Sequence, residues 1–224
     1  MLWKDEGRLH LGAEAEVRAG LWLGIAAVKK IRNERSWRHP DLDRALIRRR
    51  LEAECRCLRR LRSAGIMVPI LLEVDRVAAT IIMSRMPGQP LVEVLRRGID
   101  ESDHLFHELG QVVRGLHRAG VAHGDLSTNN ILWQQGESPS LIDLGLSTST
   151  TEVEAFGIDL HLLDEILRAS HPEYENAIQQ VEAGYLSVDE QLGPPEQSSA
   201  GALPSAGEVH RRLQQIRKRV RYHD

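Results

Sequence analysis

Apolar positions along the chain change their period several times, and the changes divide it into segments. Between residues 7 and 31 they fall in short runs, Arg8-Leu-His-Leu11, Glu16-Val-Arg-Ala19 and Ile25-Ala-Ala-Val-Lys-Lys30, with Gly12 at the first bend and Gly20 and Gly24 at the second. Short apolar runs punctuated by glycine predict a β-meander. From Asp41 to about Ala64 the spacing becomes helical, since Leu46, Ala53, Cys57, Leu58 and Leu61 form one stripe and Gly65 follows as a stop. Val68 to Val74 and Val77 to Met83 return to strand-like runs. A five-stranded sheet interrupted by one helix is therefore expected within residues 1–83.

The segment Met86-Pro-Gly-Gln-Pro90 reads as a linker, because proline removes a backbone donor and both residue types break regular elements. Beyond it, Asp103 to Arg118 places Leu105, Leu109, Val112, Val113 and Leu116 at helical spacing, and Val121-Ala-His123 reads as a short strand. Ile131-Leu-Trp133 and Leu141-Ile-Asp143 flank a polar turn as a hairpin would, and Ile158 to Leu167 is again helical. Ser187 to Gly207, rich in Pro, Gly, Ser and Gln, is expected to be a flexible insertion. The expected organisation is α+β and bilobal. An N-terminal antiparallel-sheet lobe spans 1–85, a linker 86–90, a mainly helical lobe 91–186, the insertion 187–207 and a basic helix or tail 208–224.

Composition narrows the class without fixing it. The 224 residues, 27% charged and 42% hydrophobic, suit a soluble folding unit with a substantial core. Cys55 and Cys57 are two apart and face different sides of a helix, so neither a disulfide framework nor a zinc site is expected, and a reducing compartment fits. The N-terminus carries charge where a secretory signal needs an apolar run, and no stretch approaches the roughly 18 apolar residues of a membrane span. A soluble protein of the cytoplasm, the nucleus or both, away from membranes, is expected. Net charge is only −3, yet Arg44 to Arg62 and Arg211 to Arg221 gather positive charge in two segments.

The chemistry concentrates in His123-Gly-Asp-Leu-Ser-Thr-Asn-Asn130 and in Leu141-Ile-Asp-Leu-Gly145. An aspartate five residues before an asparagine, followed by Asp-x-Gly, supplies one base and two oxygen ligands for magnesium, which are the parts phosphoryl transfer needs. Either half alone reads equally well as turn residues; together, bracketed by apolar runs, they point to Asp125 as base and to Asn130 and Asp143 as metal ligands. A lysine on the third strand and a glutamate on the following helix complete such a site. Alternation along the strand puts Val28 and Lys30 on one face and Lys29 on the other, and Glu54 shares a face with Leu58 and Leu61 whereas Glu52 does not. Lys30 and Glu54 are the expected pair. Around the nucleotide, Leu11, Gly12, Ala13 and Val17 are expected from the first turn and Met83 from the last strand. That turn has one glycine where phosphate-covering loops usually have three, and no P-loop or dinucleotide fingerprint occurs anywhere.

Taken together, Gly12-Ala-Glu-Ala15, Ala26-Ala-Val-Lys-Lys30, Trp37-Arg-His-Pro-Asp-Leu42 with Arg48-Arg-Arg50, Glu54, Ala64-Gly-Ile66, His123 to Asn130, Ile142-Asp-Leu-Gly-Leu-Ser147, Gly157-Ile-Asp-Leu160 and Ser170-His-Pro172 resemble the small atypical kinases of the KEOPS (EKC) tRNA-modification complex, the PRPK family. The resemblance spans most of the chain. It implies a bilobal kinase fold, ATP with magnesium, and a complex that makes threonylcarbamoyl-adenosine in tRNA. It also implies a threonylcarbamoyl-transferring subunit on the C-terminal lobe, a small regulatory subunit on the N-terminal lobe, ATP hydrolysis with serine or threonine phosphorylation, and tRNA contact through the basic tail. Asp159 would brace the catalytic loop.

Several features depart from ordinary kinases or from the family. Ser127 stands where protein-serine kinases carry a catalytic-loop lysine, no Ala-Pro-Glu follows Asp143, and Leu144 replaces a phenylalanine. The truncated peptide platform favours ATPase or switch behaviour over phosphorylation of arbitrary proteins. The tail Ile216-Arg-Lys-Arg-Val-Arg221 lacks the family's glycine, and a basic run of this kind serves equally as a solvated or nuclear-targeting segment. A catalytically silent scaffold, and a RIO-type or small-molecule kinase, remain alternative readings.

Overall fold

The computed structural model describes all residues except 1, 13–14, 101, 196–200 and 221–224. Its N-terminal lobe is a five-stranded antiparallel sheet of β1 (Trp3–Leu11), β2 (Ala15–Trp22), β3 (Ile25–Arg32), β4 (Leu71–Asp75) and β5 (Thr80–Ser84), in the order β1-β2-β3-β5-β4, with α1 (Pro40–Ser63) inserted after β3. The β2–β3 turn is Leu23-Gly24, with φ of 49° and 84° between the paired Trp22 and Ile25. Two positive φ values make the two-residue hairpin loop whose twist matches its strands. Gly20 is thus not a turn residue but lies within β2, where a Cβ would come within 2.4 Å of the Lys4 carbonyl and 2.5 Å of the Trp3 ring.

His39 caps α1, with Pro40 in its first turn, Asp41 and Asp43 near its N-terminus, and Arg60 and Arg62 near its end. Each charge suits the helix dipole beside it. Leu51 and Cys55 face Ile81 and Met83 of the sheet, while Cys57, Leu58 and Leu61 join the larger core of the helical half. The helix is therefore shared by both halves of the molecule, and Glu54 lies between its two sets of contacts.

The helical half contains β6 (Gln89–Pro90), α2 (Leu91–Arg97), α3 (Ser102–Arg118), β7 (Val121–Ala122), β8 (Ile131–Trp133), β9 (Ser140–Leu141), β10 (Thr148–Ser149), α4 (Val153–Ser170), α5 (Ala177–Leu192) and α6 (Ala206–Val220). Where the sequence suggested an unstructured linker, Gln89 and Pro90 pair with Trp133 and Leu132 of β8. Proline is compatible with that edge position because it needs no donor there. The expected flexible insertion is also corrected in part. Ser187 to Leu192 form the last turns of α5 and Ala206-Gly207 begin α6, whereas residues 196–200 lie outside the described residues. Asp189 explains the order of this stretch, since its carboxylate accepts from Arg114, Arg118 and the Ala206 amide.

Helices α3 and α5 cross in close backbone contact. A Cβ on Gly110 would fall 2.0 Å from the Val181 carbonyl oxygen, and one on Gly184 would fall 1.8 Å from that of His107. Leu105, Leu109, Val113 and Leu116 of α3 enter one core with Phe156, Leu160 and Leu163 of α4, Val181 and Tyr185 of α5, and Val209 and Leu213 of α6. Basic residues of α6 close on acids of its neighbours. Arg217 lies 2.6 Å from both Asp164 and Glu182, and Arg212 pairs with Glu154. Among the described residues no helix is long and apolar enough to cross a membrane.

Candidate active site

The alternation of β3 decides which side chains enter the space between the halves. Lys30 is 5% exposed, and its Nζ donates to Glu54 Oε1 at 2.8 Å and to Asp143 Oδ1 at 2.7 Å. Lys29 faces the other way, 5.8 Å from the centre of the Trp3 ring. Glu52 similarly turns from the cluster and is held by Arg48 at 3.3 Å. Three of the residues singled out from sequence are thus brought together from β3, α1 and the segment after β9.

A fourth was missed. Arg32, two residues beyond Lys30 and so on the same face of β3, donates from Nη2 to Glu54 Oε2 at 2.5 Å and is only 7% exposed. Period-two alternation held that signal, yet an arginine at a strand end reads as solvated. Glu54 therefore meets one cation on each oxygen. Two cations and two carboxylates form a compensated quartet, which is the condition on which buried charge is tolerated.

Asp143 adopts left-handed backbone, φ 55° and ψ 66°, and its Oδ1 also accepts the Gly145 amide at 3.2 Å. A Cβ on Gly145 would sit 2.9 Å from Arg32 Nη2 and 3.0 Å from Asp143 Oδ1, so glycine is what lets the chain pass beside the quartet. Burial alone would raise the Asp143 carboxyl. The charge and hydrogen bond of Lys30, the Gly145 amide and the Arg32 charge outweigh it and hold the group below the usual carboxylate range. Asp143 stays ionised.

In the loop after β7, Asn130 Nδ2 donates to both the main-chain oxygen and Oδ2 of Asp125, each at 2.9 Å. Behind the loop, Asp159 accepts from the His123 amide at 2.6 Å and the Gly124 amide at 2.9 Å. Gly124 has φ 78°, and a Cβ there would meet the Leu146 carbonyl oxygen at 2.4 Å. Asp159 also faces His117 Nε2 at 3.2 Å; Tyr185 then bridges His117 Nδ1, 2.8 Å from its hydroxyl, and Arg114. Arg114 is held in turn by Asp189, at 2.7 Å from Nη2. Burial would raise Asp159, but its bond to and charge from His117 and the two amides keep it low.

Gly12 closes a tight turn to Ala15 at the end of β1, Val17 pairs with Lys30 across the ladder, and Leu11 is exposed. Met83 is packed with Leu51, Cys55 and Ile81 under α1, and Ala13 lies outside the described residues. Residues 144–152 alone separate Asp143 from α4, which leaves little chain for a peptide platform. Oxygen donors such as Asp143 and Asn130 fit a hard cation like magnesium. Asp143 is 48% exposed at its side chain, and Asn130 uses its nitrogen on Asp125. Among the described residues there is no group of three His, Cys, Asp or Glu that would hold a metal without further ligands.

Residues 26–164 match the RIO domain family. The chain is 34% identical over 166 residues to the KEOPS complex subunit Bud32 of Pyrococcus abyssi, covering 73% of this chain and 75% of the relative. It is 34% identical over 193 residues to the EKC/KEOPS complex subunit Tp53rkb of Mus musculus, covering 82% and 79%. A probable bifunctional tRNA threonylcarbamoyladenosine biosynthesis protein of Methanoculleus marisnigri is 33% identical over 97% of this chain, which spans only 36% of that relative's length. Among solved structures, the Rio2 kinase of Chaetomium thermophilum, determined as an ADP/Mg2+-phosphoaspartate complex, superposes with a TM-score of 0.62 over 100% of this chain and 73% of its own, at 17% identity. That likeness concerns the fold.

Proposed function

The chain belongs to the RIO domain family, and within it to the Bud32 subunits of KEOPS and EKC complexes; from this we propose that it binds ATP with magnesium and turns it over in support of threonylcarbamoyl-adenosine modification of tRNA. The observation that carries the reading is that Lys30 Nζ meets both Glu54 and Asp143 within 2.8 Å, with Asp125 held separately by Asn130. Lys30, oriented by Glu54, supplies the cation for the nucleotide phosphates. Arg32 keeps Glu54 in place when Lys30 shifts its contacts. Asp125 takes the proton of the attacking water or hydroxyl, and Asp159 fixes the main chain ahead of that base.

Asn130 and Asp143 would hold magnesium, which would neutralise charge on the phosphate oxygens. Ser127 and the short segment after Asp143 favour water, or a hydroxyl delivered by a docked partner, over arbitrary peptides. The threonylcarbamoyl-transferring subunit binds the helical half and a small regulatory subunit the sheet lobe. The deciding measurement is ATP hydrolysis by the purified chain beside Asp143→Ala, with and without the transferring subunit and tRNA. Turnover that requires Asp143 and rises with partner and tRNA is expected. Equal turnover in the variant would overturn the assignment, and no turnover by a folded, partner-binding chain would make it a scaffold.

A further inference from the structure

Lys30 is shared by two carboxylates in unlike surroundings. Its Nζ lies 2.8 Å from Glu54 Oε1 and 2.7 Å from Asp143 Oδ1, but the Glu54 side chain is 2% exposed and that of Asp143 48%. Drawing Lys30 off Glu54 would break a buried ion pair, which is strongly unfavourable. Drawing it off Asp143 leaves Lys30 on Glu54 and turns the freed carboxylate to water. The contact with Asp143 is therefore the one that can open without stranding a buried charge. While it is closed, the ammonium covers Oδ1, and the Gly145 amide takes the same oxygen at 3.2 Å. A magnesium ion at its usual distance of about 2.0–2.1 Å from that carboxylate would stand against a like charge. Among the described residues no group of three His, Cys, Asp or Glu offers the ion a site of its own.

We propose that Lys30 is a latch on Asp143, holding divalent cations off that carboxylate until a polyphosphate gives the ammonium another anion. This rests on the reading of Asp143 as metal ligand and Lys30 as phosphate ligand, and adds an order of events to it. The nucleotide opens the contact, and the metal site is complete only afterwards. Arg32 holds Glu54 by its other oxygen, so Lys30 pivots about a fixed carboxylate. Lys29 carries the same charge one residue earlier but faces the Trp3 ring, 5.8 Å from its centre, and takes no part. The free chain accordingly retains metal poorly, and polyphosphate and metal each raise the affinity of the other.

The test is a titration of Mn2+, which oxygen ligands also suit, with the full chain in the absence of nucleotide, free Mn2+ being followed by electron paramagnetic resonance. Lys30→Met is expected to bind Mn2+ about tenfold more tightly than the wild type. Adding Asp143→Asn to it should abolish the gain, and Lys30→Arg, which keeps the charge, should stay near the wild type. Lys29→Met removes the same charge from the neighbouring position and should change nothing. Lys30→Gln, whose amide can still meet Glu54, gives the same reading should the methionine variant not fold. Wild-type affinity in the folded Lys30 variants, a gain that survives Asp143→Asn, or an equal gain in Lys29→Met would each overturn the proposal. A chain without ATP turnover whose Lys30 variants still gain Mn2+ affinity keeps the latch and loses the ATP reading. Turnover that needs Asp143, with no such gain, does the reverse.

Discussion

Arg32 and Glu54 meet at 2.5 Å inside the sheet lobe, 7% and 1% exposed. The pair is unequal, because Glu54 also accepts from Lys30 while Arg32 has no second carboxylate among its contacts above. Glu54→Gln leaves Arg32 without its carboxylate and Lys30 with Asp143 alone, and is expected to lower stability by about 3–5 kcal/mol, whereas Arg32→Met leaves Glu54 paired and lowers it by less. Urea unfolding of both variants checks the order. A larger loss for Arg32→Met would show that Lys30 does not hold Glu54 by itself.

Tyr185 supports the loop that carries His123 and Gly124 at one remove. Its hydroxyl lies 2.8 Å from His117 Nδ1, and His117 faces Asp159, which in turn holds the His123 and Gly124 amides. Tyr185→Phe leaves a buried ring nitrogen without its partner and is expected to reduce stability by about 1–3 kcal/mol. Thermal unfolding beside ATP turnover separates the two effects; an unchanged melting temperature would mean that water replaces the hydroxyl.

Acid should weaken the fold in two stages. Burial, ahead of the opposing pull of Asp159, keeps His117 and His123 below the ordinary imidazole value of 6.5, so the unfolded chain binds protons there that the folded chain refuses. Stability then falls as pH drops through about 6.5. Asp143 and Asp159 are held low, and their contribution, present above about pH 3.9, is lost as pH falls through their folded values. Urea midpoints at about pH 7.5 and about pH 5.5 test the first stage. A flat profile would show that both rings charge freely inside the fold.

At the α3–α5 crossing, Gly184→Ala forces a Cβ to 1.8 Å from a carbonyl oxygen and is expected to cost about 3 kcal/mol or more. Gly207→Ala, in α6, meets only the Arg211 side chain at 3.8 Å and should stabilise by about 0.4–1 kcal/mol. Opposite signs from the same chemical change are the check, read as shifts in urea midpoint.

The pair of helical glycines also shows where sequence reading stopped. Gly184, with Ser187 and the glutamines nearby, resembles a breaker until its partner helix is known, since what favours glycine there is a contact 77 residues away in sequence, at His107. That Lys30 and Glu54 meet, with Asp143 beside them, was legible because strand and helix periods select among neighbours such as Lys29 and Glu52, and fixed spacing set Asn130 beside Asp125. Arg32 was not, because its burial depends on Glu54 arriving from another element. Pro90 escaped for a similar reason: local chemistry marks a break, but pairing with Leu132 makes a short strand.

Asp189 joins α3, α5 and the first residue of α6 through Arg114, Arg118 and the Ala206 amide, and Arg114 leads on through Tyr185 and His117 to Asp159. No one of these elements can detach without stranding a buried polar group in those that remain. Residues 123 and 124 are thereby linked to the last helix through a continuous chain of polar contacts, and their amides are expected to exchange with solvent together with those of that helix. The outer strand β1, mostly exposed, is held by its ladder with β2 and the Asp5–Arg18 pair and is expected to exchange earlier.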